Sequence, residues 1–131
     1  MSFGGMNVVA ILLAALTATL WSALFHAALA SRVGNTPPAR PTGVGLLVTA
    51  FLAFLVMAWV LAGTVGHLGV GQVTLRNGVI SALFVWAGFV VTVLALTHRR
   101  LGLGWRRIAL DALHWLVALL LIGAVIGGLG I

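Results

Sequence analysis

The chain contains four long apolar segments, which are separated by short polar ones. The apolar segments cover about residues 7–30, 44–66, 78–97 and 108–130. Each is close to the roughly 20 residues that an α-helix needs to cross the hydrocarbon core of a bilayer. The pattern therefore predicts an all-α integral membrane protein, with four transmembrane helices in a single domain of residues 1–131.

The connections between the apolar segments are short and rich in turn-forming residues, such as RVGNTPPARPTG after the first segment and GHLGVGQ after the second. Short connections place consecutive helices side by side in opposite directions, so we expect an antiparallel four-helix bundle. The AALAS stretch at residues 27–31 resembles a signal-peptidase site. The segment before it lacks a basic region and its apolar run is unusually long, so we expect a retained span.

The arginines predict how the bundle sits in the membrane. Six of the seven arginines belong to the first and third connections, residues 31–43 and 98–107, and only Arg76 belongs to the second. Short loops that carry most of the positive charge stay in the cytoplasm. Both termini should then lie on the non-cytoplasmic side.

The composition agrees with a membrane protein and excludes several functions. Hydrophobic residues make up 63% of the chain and charged residues only 6%, whereas soluble domains are about a quarter charged. The net charge of +6 comes from arginines in short loops, so we interpret it as an orientation signal and expect no nucleic-acid partner. Because the chain has no cysteine, disulfides and cysteine-ligated metal sites are excluded.

Small residues predict where the helices pack, because they let backbones approach closely within lipid. The first span has a stripe of positions four residues apart, and the third and fourth spans each have a glycine with another small residue four positions later. These positions are Ala10, Ala14, Ala18, Ser22, His26 and Ala30, then Gly88 with Thr92, and Gly123 with Gly127. The stripe should bring Ser22 and His26 inside the protein. We expect these faces to pack within the bundle, and the alternative is that one of them binds another subunit.

Asp111, the only acidic residue, begins a candidate polar cluster at the start of the fourth span. Arg107 precedes it by four residues, a spacing at which helical side chains form ion pairs. His114 and Trp115 follow on roughly the same face, and Asp111 is the expected hydrogen-bond partner of His114. The simple interpretation is a helix cap with an ion pair. The alternative is a proton or ion route, because ionisable residues are rare within spans.

The remaining candidate chemistry is sparse. His26 and His114 lie within predicted spans and are candidate ligands for haem iron or chlorophyll magnesium, whereas His67 and His98 fall in predicted loops. The sequence shows no nucleophile–base pair, no metal-ligand spacing and no phosphate-binding glycine loop. We therefore expect neither an enzyme nor a bound metal or cofactor.

Two stretches carry a resemblance to a known family. In the second half these residues are Trp86, Gly88 and Phe89 of a W-x-G-F motif, Arg99 or Arg100, Asp111, Trp115, Gly123 and Gly127. In the first half, MNVVAILLAALTATLWSALF contributes Asn7 and Trp21. Together they resemble the bacterial membrane family called domain-of-unknown-function family 1761. The chain departs from the family at His114 and Ser22, where tyrosine is usual just before the tryptophan and within a W-Y-S motif. The resemblance implies the fold and topology and no established activity.

These observations favour a non-enzymatic subunit of the bacterial inner membrane. It would act through helix packing in a homo-oligomer or a larger membrane complex, with the lipid bilayer as its surroundings. One alternative is a small dimeric transporter or channel for an ion or small solute, gated by Asp111, His114 and the cytoplasmic arginines. Another is a pigment- or haem-binding subunit that uses His26 or His114.

Overall fold

The computed structural model describes residues 5–32 and 43–130, which form four long helices and no strand. The four helices, called the first to fourth spans below, are Val8–Arg32, Val44–Gly66, Leu75–Arg100 and Trp105–Leu129. Each is long and apolar enough to cross a membrane. The prediction of an all-α fold with four helices long and apolar enough to be membrane spans is confirmed for the described residues. Arg40 and the side chains of Ala30 and Arg32 lie outside the described residues.

The third and fourth spans are longer than the apolar pattern predicted. The pattern gave residues 78–97 and 108–130, with residues 98–107 as the connection. In the structure the charged residues are helical, and only residues 101–104 lie between the two helices. Hydropathy marks the hydrocarbon core, whereas a helix continues into the headgroup region, where long arginine side chains reach water.

The connection between the third and fourth spans begins with a Schellman motif. The Leu103 N–H donates to the His98 carbonyl at 2.9 Å, and the Gly102 N–H donates to the Arg99 carbonyl at 3.1 Å. Gly102 has a φ of +76°, a left-handed conformation that glycine adopts without strain. The motif ends the third span sharply and brings the start of the fourth span close to Arg99.

The fourth span is the central helix and packs against the first and third spans. In its most apolar 18-residue window 44% of the residues are buried by the rest of the chain, against 6% for the third span. Small side chains make up much of the core. Ala14, Ala18, Ala58 and Ala82 are all completely buried, so the helix backbones lie close together.

The third and fourth spans touch through glycine. A Cβ atom added to Gly123 would collide with the Gly78 carbonyl and lie 3.0 Å from the Ala82 Cβ. A Cβ atom on Gly127 would collide with the carbonyl of Thr74. This approach therefore requires glycine on the fourth span. Gly88 behaves differently: it is exposed, with nothing within 4 Å of an added Cβ, so the expectation that it packs inside the bundle is wrong.

The third span contains a π-helical turn over Trp86–Val90. There the Val91 N–H donates to the Trp86 carbonyl, five residues earlier instead of four. The Thr92 hydroxyl donates to the carbonyls of Gly88 and Phe89, at 2.9 Å each, which helps to satisfy backbone groups displaced by the wider turn. Because such a turn absorbs one extra residue, the side chains that follow are rotated by about 100° from their places in a regular helix.

Candidate functional site

Polar side chains from the first and third spans meet the fourth span near its start, in two neighbouring clusters. We call the first the Asp111 cluster; it consists of His98, Arg107 and Asp111. We call the second the His114 cluster; it consists of Trp21, Ser22, His26 and His114.

One carboxylate oxygen joins the Asp111 cluster. Asp111 Oδ2 lies 2.6 Å from His98 Nε2 and 3.2 Å from Arg107 Nε. The side chains of His98 and Asp111 are 14% and 16% exposed, whereas that of Arg107 is 36% exposed. Arg107 thus pairs with Asp111 at the spacing the sequence suggested. The shorter and more buried contact, to His98, crosses from the third span to the fourth.

His98 is the residue of the candidate site that the sequence analysis did not predict. It was expected in a solvated loop, but it lies in the last turns of the third span with a largely buried side chain. In a regular helix, His98 would point about 120° away from Trp86, twelve residues earlier; the π-helical turn reduces this to about 20°. Both residues consequently face the fourth span. The sequence signals for the wider turn, Gly88 and Thr92, are too common in membrane helices to reveal it.

The second ring nitrogen of His98, Nδ1, is buried and has no hydrogen-bond partner among the described residues. Because Nε2 faces the ionisable oxygen of Asp111, the proton of a neutral His98 belongs on Nε2 and Nδ1 is an acceptor. The imidazole is therefore held in place by Asp111 alone among the polar groups described.

The centre of the His114 cluster is a histidine that is only 4% exposed. His114 Nε2 forms a hydrogen bond with Ser22 Oγ at 2.9 Å, across the first and fourth spans. The expected bond from His114 to Asp111 is therefore wrong. Three residues along a helix separate the two side chains by about 60°, which turns Asp111 to the third span and His114 to the first. Trp115 lies beside His114, with 5.0 Å between the ring centroids.

His26 lies at the edge of the His114 cluster. Its ring centroid is 4.9 Å from that of His114, and its Nδ1–H donates to the Ser22 carbonyl at 2.7 Å. Ser22 is half-buried, but His26 is exposed, so the prediction that the stripe carries His26 inside is wrong. Positions four apart drift by about 40° per step, so His26 is rotated about 160° from Ala10 at the start of the stripe.

Two tryptophans bind the backbone of the fourth span from opposite neighbours. Trp21 Nε1 donates to the His114 carbonyl at 3.0 Å, and Trp86 Nε1 donates to the Ala112 carbonyl at 2.8 Å. An indole N–H within lipid requires an acceptor. The sequence alone could not identify a backbone carbonyl on another helix as the acceptor for either indole.

The polar side chains of the two clusters mainly form hydrogen bonds between helices. The bonds from His98, Ser22, Trp21 and Trp86 all reach the fourth span from another span. Among the described residues, no group of three or more histidine, cysteine, aspartate or glutamate side chains is placed to hold a metal ion. What these polar side chains can do chemically is therefore to hold the first and third spans against the fourth.

Comparison with known proteins places the chain in a family. Its sequence matches the family described as "Protein of unknown function (DUF1761)" over residues 6–127. No curated protein and no solved structure matches the chain. The family match extends from just before the first span almost to the end of the fourth and includes both polar clusters. The resemblance found in the sequence is thereby confirmed, and the chain belongs to the DUF1761 family.

Proposed function

We propose that this protein is a non-enzymatic subunit of the bacterial inner membrane that acts through helix packing, in a homo-oligomer or within a larger membrane complex. The observation that carries the proposal is the exposure of the third span. Only 6% of its most apolar window is buried by its own chain. A face of this kind is available to another subunit.

The chemistry of the exposed face supports a protein neighbour. The large hydrophobic side chains that the first span exposes are leucines and valines, as at Leu16 and Leu20, which suits lipid chains. The third span exposes aliphatic side chains as well, but in addition it exposes Phe84 and Phe89, 76% and 71% accessible, with Gly88 between them. Glycine inside a helix costs about 1 kcal/mol relative to alanine, and in membranes it commonly marks the close approach of another helix.

The distribution of polar groups favours this role over transport. A transport route needs polar groups or water along its length. The two polar clusters lie near the start of the fourth span, and towards its other end Gly123 and Gly127 close against the third span. A cavity between the second, third and fourth spans is lined by apolar residues alone, among them Met57, Val85 and Leu119.

The proposal includes an antiparallel bundle with both termini on the non-cytoplasmic side. Contacts between the third and fourth spans support it, because residue numbers rise on one helix as they fall on the other. The contact pairs are Gly78 with Gly123, Trp86 with Ala112 and His98 with Asp111. The arginines at residues 99–107 support a cytoplasmic third connection.

Cysteine cross-linking tests the proposed face, because the chain has no cysteine of its own. Ala87→Cys places a thiol beside Gly88 on the third span, and Ala23→Cys places one on the first span; both positions are exposed. Oxidation in native membranes should yield a disulfide-linked dimer for Ala87→Cys and little for Ala23→Cys. Equal cross-linking at both positions would contradict the choice of face.

A second variant distinguishes association from folding. Gly88→Leu adds a side chain where the chain itself leaves open space, so the monomer should fold normally. Light scattering of the protein in mild detergent should show a multimer or a complex for the wild type and a smaller species for Gly88→Leu. A wild-type protein that is a monodisperse monomer of 13.6 kDa, together with an Ala87→Cys variant that gives no cross-link, would oppose the proposal.

A further inference from the structure

Four arginines surround the connection between the third and fourth spans, with a single carboxylate to balance them. Arg99 and Arg100 end the third span, and Arg106 and Arg107 begin the fourth. Asp111 is the only acidic residue of the chain, and its Oδ2 is already shared by His98 and Arg107. The other three arginines are exposed and form no ion pair within the described residues. Arg99, Arg100 and Arg106 therefore have no acidic side chain of the chain to balance their charge.

Arg99 is held in a fixed position. Its Cζ atom lies 5.1 Å from the centroid of the Trp105 ring, and its Nη1 donates to the Leu103 carbonyl at 3.4 Å. A guanidinium stacked on an indole keeps N–H groups at its edge for binding an oxyanion. Trp105 is 63% exposed, in the manner of tryptophans at the membrane–water boundary. We therefore expect the stacked pair to lie at the depth of the lipid phosphates.

The start of the fourth span adds to the positive potential. Arg106 and Arg107 lie in its first turn, at the positive end of the helix dipole. No acidic residue occurs in this turn, and no side chain caps the helix at Gly104. Asp111 compensates Arg107, but nothing in the described part of the chain compensates Arg106. An anion from outside the chain would relieve this repulsion.

We propose that Arg99, stacked on Trp105, binds a phosphate group together with the exposed Arg100 and Arg106, and that this phosphate belongs to the headgroup of an anionic phospholipid. The lipid source follows from location, because the arginines lie at the ends of two membrane spans, where lipid phosphates are concentrated. The guanidinium supplies paired N–H donors that match phosphate oxygens. Since Trp105 fixes Arg99, the site differs from diffuse attraction between a basic loop and a charged surface.

Native mass spectrometry of the purified full-length protein in neutral detergent tests the proposal. The protein is titrated with phosphatidylglycerol, with zwitterionic phosphatidylcholine, whose net charge is zero, as the comparison. We expect tighter binding of phosphatidylglycerol. Arg99→Gln should weaken that binding about fivefold, which corresponds to roughly 1 kcal/mol per arginine at a membrane surface. Arg76→Gln is the matched control, because it removes the same charge from an exposed position at the opposite end of the third span, and it should bind as the wild type does.

Two further variants test the contact between Arg99 and Trp105, and circular dichroism checks that each variant folds. Arg99→Lys keeps the charge and Trp105→Leu removes the ring; each should weaken phosphatidylglycerol binding, with normal helicity in far-UV circular dichroism. Equal losses in Arg99→Gln and Arg76→Gln, or equal affinity for the two lipids, would overturn the proposal. Displacement of phosphatidylglycerol by millimolar inorganic phosphate would assign the site to free phosphate and overturn the lipid assignment.

Discussion

The indole N–H of Trp86 lies 2.8 Å from the backbone carbonyl of Ala112, so the wide turn of the third span is attached directly to the fourth. Trp86→Phe removes this donor and keeps most of the ring. We expect it to lower the free energy of unfolding by about 1 kcal/mol, because a single hydrogen bond contributes about that much and often less in membranes. Unfolding in mixed micelles with increasing dodecyl sulfate measures the change.

Trp21→Phe and Trp105→Phe complete this test. Trp21 donates to the His114 carbonyl, so its substitution should cost about as much as that of Trp86. Trp105 is 63% exposed, and its substitution should have little effect on stability. Similar losses for all three variants would mean that ring size matters and the two indole bonds do not.

The Asp111 cluster predicts unequal coupling between its members. A double-mutant cycle with Asp111→Asn and His98→Gln should give a coupling energy of about 1–3 kcal/mol, because the contact is short, largely buried and charge-assisted. The cycle with Arg107→Gln should give about 0.5 kcal/mol, as is usual for an ion pair four residues apart on a helix. Micelle unfolding of the single and double variants supplies both values. A larger coupling for Arg107 than for His98 would contradict the geometry described above.

Two glycines on different faces of the fourth span should respond differently to substitution by alanine. Gly123→Ala forces a methyl group onto the Gly78 carbonyl, and we expect a loss of about 1–3 kcal/mol from overpacking. Gly128→Ala places the same group in open space and should be neutral or slightly stabilising, because alanine favours helix. Thermal denaturation in detergent compares them. Equal losses would indicate that the close backbone contact is absent.

The proposed orientation predicts which connections a membrane-impermeant maleimide can reach. Val70 and Leu101 are both exposed, 104% and 70%, and they lie in the second and third connections. In intact cells or spheroplasts, Val70→Cys should be labelled from outside, and Leu101→Cys should be labelled only after lysis. The reverse pattern would place both termini in the cytoplasm.

The sequence alone was sufficient to predict features that depend on segment length or on contacts within one helix. Span length follows from the thickness of the hydrocarbon core, so the number of spans did not depend on how they pack. The Arg107–Asp111 pair lies at a spacing that any regular helix brings together. Glycine at residue 123 indicated close packing for the same reason: a missing side chain matters wherever helices cross.

The candidate site was less predictable because it depends on rotation and on partners in other spans. His98 faces Asp111 only because the third span departs from regular geometry at Trp86–Val90. The Ser22 partner of His114 comes from the first span, whose neighbours the sequence did not specify. His26 was expected inside because a stripe of residues four apart was treated as straight, although such a stripe winds around the helix.

The π-helical turn divides the third span into two helical segments with different rotational phase. Gly78 sets the phase of the first segment against the fourth span, and His98 sets the phase of the second. The turn holds one residue more than a regular helix needs, so deleting one residue from Trp86–Val90 would restore a continuous α-helix and leave the His98 imidazole facing the fourth span. A single-residue insertion between Gly78 and His98 would instead turn the imidazole about 100° towards lipid, which is as disruptive as a substitution in the core even when the inserted residue is apolar.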